Sequence, residues 1–131
     1  MRMDEWRNWL AQAEWDLKAA RDSAVAGNFE WACFQCQQAA AKALKAYLYR
    51  AGGEPLGLHS VRKLLAAWEE AAPEFGALRP AALLDRYYIP TRYPNGLPGD
   101  VPHEYFTAEA AQECLSQASS VIEFVVRSSA T

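Results

Sequence analysis

The sequence predicts an all-α fold, an up-and-down four-helix bundle with a short extra helix and a long Pro/Gly-rich loop before the last helix. Three observations carry this. Apolar residues recur at steps of three and four almost from end to end. Clusters of glycine and proline punctuate that pattern at a few places only. No stretch alternates with period two for long enough to make a strand. With 131 residues, no internal repeat and no dividing linker, the chain reads as a single domain over residues 1–131.

The first helix is expected from about Asp4 to Val25, with Trp6, Trp9, Leu10, Ala13, Leu17, Ala20 and Ala24 on its apolar stripe. Gly27 and Asn28 should stop it. A second helix should run from about Phe29 to Ala51, its seam formed by Phe29, Cys33, Cys36, Ala40, Ala43 and Tyr47. Gly52 and Gly53 close it, and Pro55 prevents continuation. The short connections make consecutive helices antiparallel neighbours.

The third helix should begin near His59 or Ser60, face Val61, Leu64, Leu65, Trp68 and Ala72 inward, and end at Pro73. A short fourth segment is expected after Pro80, a residue favoured at a first helical position, using Leu83, Leu84 and Tyr87 or Tyr88. Pro90, Pro94, Gly96, Pro98, Gly99 and Pro102 then mark a loop. Thr107 is the expected cap of the last helix, whose buried face is Ala111, Cys114, Leu115, Ala118, Val121, Ile122 and Val125.

Composition narrows the function. A hydrophobic content of 51% argues against disorder, and no apolar run approaches a membrane span. The charged start lacks the apolar segment of a signal peptide, so a cytoplasmic protein is expected. A net charge of −3 confines any anion site to a local cluster, and DNA binding is not expected. The motifs of P-loop, dinucleotide-binding and serine-hydrolase enzymes are absent. Cys33-Phe34-Gln35-Cys36 has C-x-x-C spacing but falls inside a helix on its apolar face, which favours core packing over redox or metal chemistry. No metal and no cofactor are expected.

Gln35, Gln38, Lys42 and Lys45 step along one face of the second helix, either as a solvated stripe or as a donor-rich groove for phosphate or an acidic partner. His59 and Arg62 open the third helix, either shaping its start or lining the same groove. Trp15 and Trp31 lie off the core stripes, which points to a partner surface, and a symmetric dimer is expected.

Four pieces in order, "AEWDLKAA", "FEWACFQCQQAAAKALKAYL", "GLHSVRKLL" and "RYPN", resemble the HEPN family (higher eukaryotes and prokaryotes nucleotide-binding domain). The resemblance covers nearly the whole chain. It implies a helical bundle, commonly a homodimer. It also implies nucleotide binding, or pairing with a small nucleotidyltransferase in a two-component, toxin–antitoxin-like system. On that reading Gln38, Lys42, Lys45, His59, Arg62, Tyr93, Asn95 and Tyr105 contact nucleotide or partner. Other members of the family are metal-independent ribonucleases with Arg, four to six residues, then His, often followed by x-Tyr. Here Arg92 and the His103-Glu104-Tyr105 run supply those groups, but ten residues separate Arg92 from His103. A fork of N–H donors suits Arg for phosphate, and His can move a ribose hydroxyl proton near neutral pH. Three readings stay open: a binding subunit, a ribonuclease using Arg92 and His103, and a purely structural interaction subunit.

Overall fold

A computed structural model describes residues 5–54, 57–67, 69 and 72–129. Helix α1 spans Glu5–Val25, α2 Phe29–Arg50, α3 Val61–Ala67, α4 Pro102–Tyr105 and α5 Ala108–Ser129. Two 3-10 segments, Pro73–Tyr87 and Pro94–Gly96, lie between α3 and α4. Among the described residues there is no strand, and no helix is long and apolar enough to cross a membrane. The expectations at Asp4, Pro55 and Trp68 fall outside the described residues.

The first two helix stops follow from backbone hydrogen bonding. The Asn28 N–H donates to the Ser23 carbonyl at 2.8 Å and the Gly27 N–H to Ala24 at 3.1 Å. The Gly53 and Gly52 N–H groups repeat the arrangement on Leu48 and Tyr49 at 2.8 and 3.1 Å. Both are Schellman closures, and both place a glycine at positive φ, 83° at Gly27 and 91° at Gly52. Asn28, at φ −93°, instead opens α2. Thr107 caps α5 as expected, its Oγ1 accepting the Ala110 N–H at 3.1 Å.

Helix α2 is the axis of the bundle. It packs on α1, α5, α3, α4 and the long 3-10 arm. Of its predicted seam, Cys33, Cys36, Ala40 and Ala43 are buried and Phe29 and Tyr47 are half-buried at the core margin, while Ala32, Ala39, Ala46, Leu44 and Leu48 are buried on other faces. Small alanines let neighbouring helices approach α2 from several sides. The buried stripes of α1 and α5 match expectation, with Trp6, Trp9, Leu10, Ala24 and Leu115 packed at the core margin. Tyr47, Phe75 and Phe124 meet with ring centroids 4.9–5.8 Å apart, which joins α2, the 3-10 arm and α5.

The middle of the chain departs from the sequence reading. Helix α3 is a short element of 7 residues. The segment expected after Pro80 begins at Pro73 and runs as a 3-10 arm that contains Pro80. Proline has no N–H for the helical ladder, and its ring crowds an α-helical carbonyl one turn back. Phe75, Leu78, Ala81 and Leu84 still reach the core from the arm, at steps of three. The following loop is not wholly irregular either. Pro94 and Pro102 each start one helical turn, the position where a missing N–H costs nothing.

Asp85 ties these pieces together. Its carboxylate accepts the Ser60 hydroxyl at 2.6 Å, the Val61 N–H at 2.8 Å, the Arg62 N–H at 3.0 Å and the Gln37 amide at 3.2 Å. The same Gln37 amide donates to the His59 carbonyl at 2.9 Å. One side chain thus satisfies the start of α3 and joins it to α2 and to the arm.

Asp85→Ala is expected to lower unfolding free energy by roughly 2–4 kcal/mol, because it strands buried donors. Urea denaturation measures this, and Asp85→Asn should lose less. Amide exchange should show α3 losing protection before α1 or α5.

Candidate functional site

The 3-10 arm ends at Tyr87, and the chain then folds back across the start of α2. Thr91 anchors this return. It is buried, and its hydroxyl donates to the Tyr87 carbonyl at 2.6 Å. Arg92 follows. Its guanidinium carbon lies 4.3 Å from the ring centroid of Phe34 on α2, 4.8 Å from Tyr88 and 5.2 Å from Tyr93. Its Nε donates to the Tyr88 carbonyl at 3.0 Å. Three rings and one carbonyl therefore hold the group without neutralising it. Among the described residues no carboxylate pairs with Arg92.

His103 docks on the same face of α2. Its Nδ1 lies 3.0 and 3.2 Å from the two carboxylate oxygens of Glu30. The Glu30 side chain is 8% exposed and that of His103 61%. Glu30 and Phe34 are four residues apart on one helix, so their side chains are neighbours on consecutive turns, with about 5–6 Å between Cβ atoms. The loop thus brings Arg92 and His103, with ten residues between them in sequence, to anchors one turn apart. Exposed apolar residues belong to the same region: Trp31, edge-on to Phe34, and Ile89, Tyr93, Val101 and Tyr105.

The polar stripe of α2 is shared with α1. Gln35 bonds the Ser23 hydroxyl at 2.8 Å, and Lys42 pairs with Asp16 at 2.7 Å. Gln38 donates to the Gln37 side-chain oxygen at 2.9 Å. Lys45 lies 5.2 Å from the Trp9 ring centroid, and burial, with the Lys42 charge adding, lowers its pKa. His59 lines a cavity of about 300 Å³ with Gln37, Gly57, Leu58, Ser60, Lys63, Asp85 and Tyr88. Arg62 instead lines a cleft of about 340 Å³ between α3 and the arm, with Phe75 and Arg79. His59 and Arg62 therefore serve different hollows. Tyr93 lies against Arg92, Asn95 is exposed in the Pro94–Gly96 turn, and Tyr105 is exposed with its ring edge-on to Phe106. Of the paired tyrosines, Tyr88 belongs to the Arg92 cluster. Tyr87 packs on Phe106, and burial pushes its hydroxyl up to about 12.

Glu30, Gln37, Asp85 and Thr91 are polar residues that sequence reasoning missed, and two of them lie on α2. Glu30 and Gln37 are buried on α2, inside the stretch that carries the family resemblance, which gave neither of them a role. The one available signal is position: Gln37 lies four residues before Ala41 and seven after Glu30, on a face whose other members are apolar.

The cysteines are core residues. Cys33, Cys36 and Cys114 are free and buried. Among the described residues no group of three or more His, Cys, Asp or Glu is placed to hold a metal. Burial raises the Cys36 thiol, and a hydrogen bond with Cys33 followed by burial raises that of Cys114.

Known proteins share both the sequence pattern and the fold. The family profile of the HEPN domain matches residues 6–129. Human sacsin is 30% identical over 123 residues, covering 90% of this chain, and the chain spans 3% of sacsin's length. TT1696 from Thermus thermophilus has a similar structure, with TM-score 0.87 and 40% identity over 95% of this chain and 98% of its own. The crystal structure of ST0689, an archaeal HEPN homologue, aligns with TM-score 0.80 and 36% identity over 98% of each chain. A HEPN domain protein from Thermotoga maritima aligns with TM-score 0.72 and 28% identity over 92% of this chain and 95% of its own.

The three thiols are expected to resist an aromatic disulfide reagent in native buffer and to react fully in denaturant. The raised native pKa values of Cys36 and Cys114 favour the protonated, folded form. That contribution is fully present below about pH 8.5, the unfolded thiol value, and is lost as pH rises above it. Thermal melts across that range check the sign.

Proposed function

The chain belongs to the HEPN domain family, and on that premise we propose that it is a binding subunit for phosphate-bearing ligands, nucleotides or single-stranded RNA. The observation that carries this reading is the pair of anchors on α2, with Arg92 on Phe34 and His103 on Glu30. A guanidinium held by stacking, with no carboxylate partner among the described residues, keeps its terminal N–H groups for a phosphate. His103 adds a second group one turn away, and Trp31, Tyr93 and Tyr105 offer ring faces or edges to bases. Gln38 and Lys45 extend the donor set along α2, whereas Lys42 already has its charge met by Asp16.

The family supports two further parts of the proposal. The subunit acts as a homodimer, and it works in the cytoplasm as one half of a two-component system with a small nucleotidyltransferase. The exposed Trp15 and Trp31 are consistent with surfaces that meet other chains.

A second reading, ribonuclease activity, is favoured by one specific contact. With Nδ1 engaged by Glu30, His103 has its Nε2 available to move a proton of a ribose hydroxyl beside a phosphate held by Arg92.

Fluorescence anisotropy with a labelled oligouridylate and with labelled ADP tests the binding reading. Arg92→Ala should weaken binding by roughly tenfold or more, the loss of about one charge-assisted contact, and Lys42→Ala should change it little. Equal affinity in Arg92→Ala would overturn the assignment. Incubation with longer RNA decides the second reading: cleavage lost in His103→Ala supports a ribonuclease, and intact RNA with retained binding supports a binding subunit. Co-purification from the source cells tests for the nucleotidyltransferase.

A further inference from the structure

Glu30 is the least expected residue of this region. It lies in the first turn of α2, where the helix dipole favours a carboxylate, but it is only 6% exposed. Burying a carboxylate is costly, and an apolar side chain of similar size at that position would often serve stability as well or better. The partner shown for the charge is a largely exposed imidazole on a separate loop. Such an arrangement does little for the core. It does a great deal for the imidazole, because a buried acceptor with both oxygens near Nδ1 leaves the ring few orientations.

We infer that Glu30 is a positioning residue for His103. Its carboxylate accepts the Nδ1–H, which keeps the neutral ring's proton on Nδ1 and leaves the Nε2 lone pair on the other edge. When the ring carries both protons, Nδ1–H stays on the same carboxylate and Nε2–H becomes a donor to phosphate oxygen. Phe34, one turn further along α2, does the corresponding work for Arg92 by stacking. A single rigid helix face therefore sets the separation of two groups that arise from a loop. This inference rests on the reading that Arg92 and His103 receive a phosphate.

Nitrogen-15 NMR of the imidazole rings, with His59 assigned by substitution, tests it directly. In the unaltered protein the neutral His103 ring is expected as the Nδ1–H tautomer. In Glu30→Met the acceptor is gone, and the ring should revert to the Nε2–H form that predominates in free histidine. Oligouridylate binding should weaken roughly tenfold, by the loss of one ordered polar contact, with thermal stability equal or higher. Glu30→Gln keeps an acceptor oxygen and should restore part of both the tautomer preference and the affinity. It also carries the test if Glu30→Met fails to fold. A majority Nε2–H tautomer in the unaltered protein would overturn the inference, as would unchanged affinity in a folded Glu30→Met. Absence of any oligouridylate binding by the unaltered protein would sink the reading of the site, while the tautomer spectrum would still decide whether Glu30 sets the ring.

Discussion

The carboxylate of Asp85 is the contact on which the arrangement around α2 depends. The bundle formed by α1, α2 and α5 can be understood from apolar stripes alone, but the chain between α2 and α5 has short, proline-interrupted elements whose regular hydrogen bonding is broken early. Such elements need a specific polar anchor. Asp85 supplies it by accepting from Ser60, Val61, Arg62 and Gln37 at once. Every donor in this hub except the Ser60 hydroxyl is an N–H, so the carboxylate is well matched to its surroundings and has no need to serve as a ligand group itself.

From that anchor the path to the candidate site is short. Asp85 fixes the end of the 3-10 arm, Tyr87 and Tyr88 follow immediately, and Thr91 bonds back to Tyr87. Arg92 is therefore presented by a segment already tied to α2 through Gln37. The second tie, His103 to Glu30, returns the far end of the loop to the first turn of the same helix. Held at both ends, the loop can carry exposed rings and a cation without being either buried or free. The prolines serve the same end, since fixed φ angles reduce the chain entropy lost on ordering it.

The cavity beside His59 and the cluster around Arg92 share Tyr88, which lines the first and stacks in the second. One ring thus contacts both the loop and the cavity at the α2–α3 connection. The cleft beside Arg62 stands apart, on the other side of α3. These placements divide residues that a one-dimensional reading grouped together. Lys42 turns to Asp16 on α1, Gln35 to Ser23 and Lys45 to the Trp9 ring, while Gln38 bonds its neighbour Gln37.

The sequence by itself determined the three long helices, the stops of α1 and α2, and the buried faces of α1 and α5. Those depend on local chemistry: apolar spacing, glycine at positive φ, and the Thr107 hydroxyl at a helix start. It also showed the cysteine pair to be core, because helical spacing places Cys33 and Cys36 on the buried seam. Only the tertiary structure decided the 3-10 course of the arm, where core contacts at steps of three accommodate a proline that an α-helix resists. It alone revealed Glu30 and Gln37, since a buried polar residue is recognisable only once its partner is in place. The meeting of the Arg92 and His103 anchors is of the same kind. Ten intervening residues say nothing of how far apart two loop groups lie, and the distance is set by two side chains on another helix, Phe34 and Glu30.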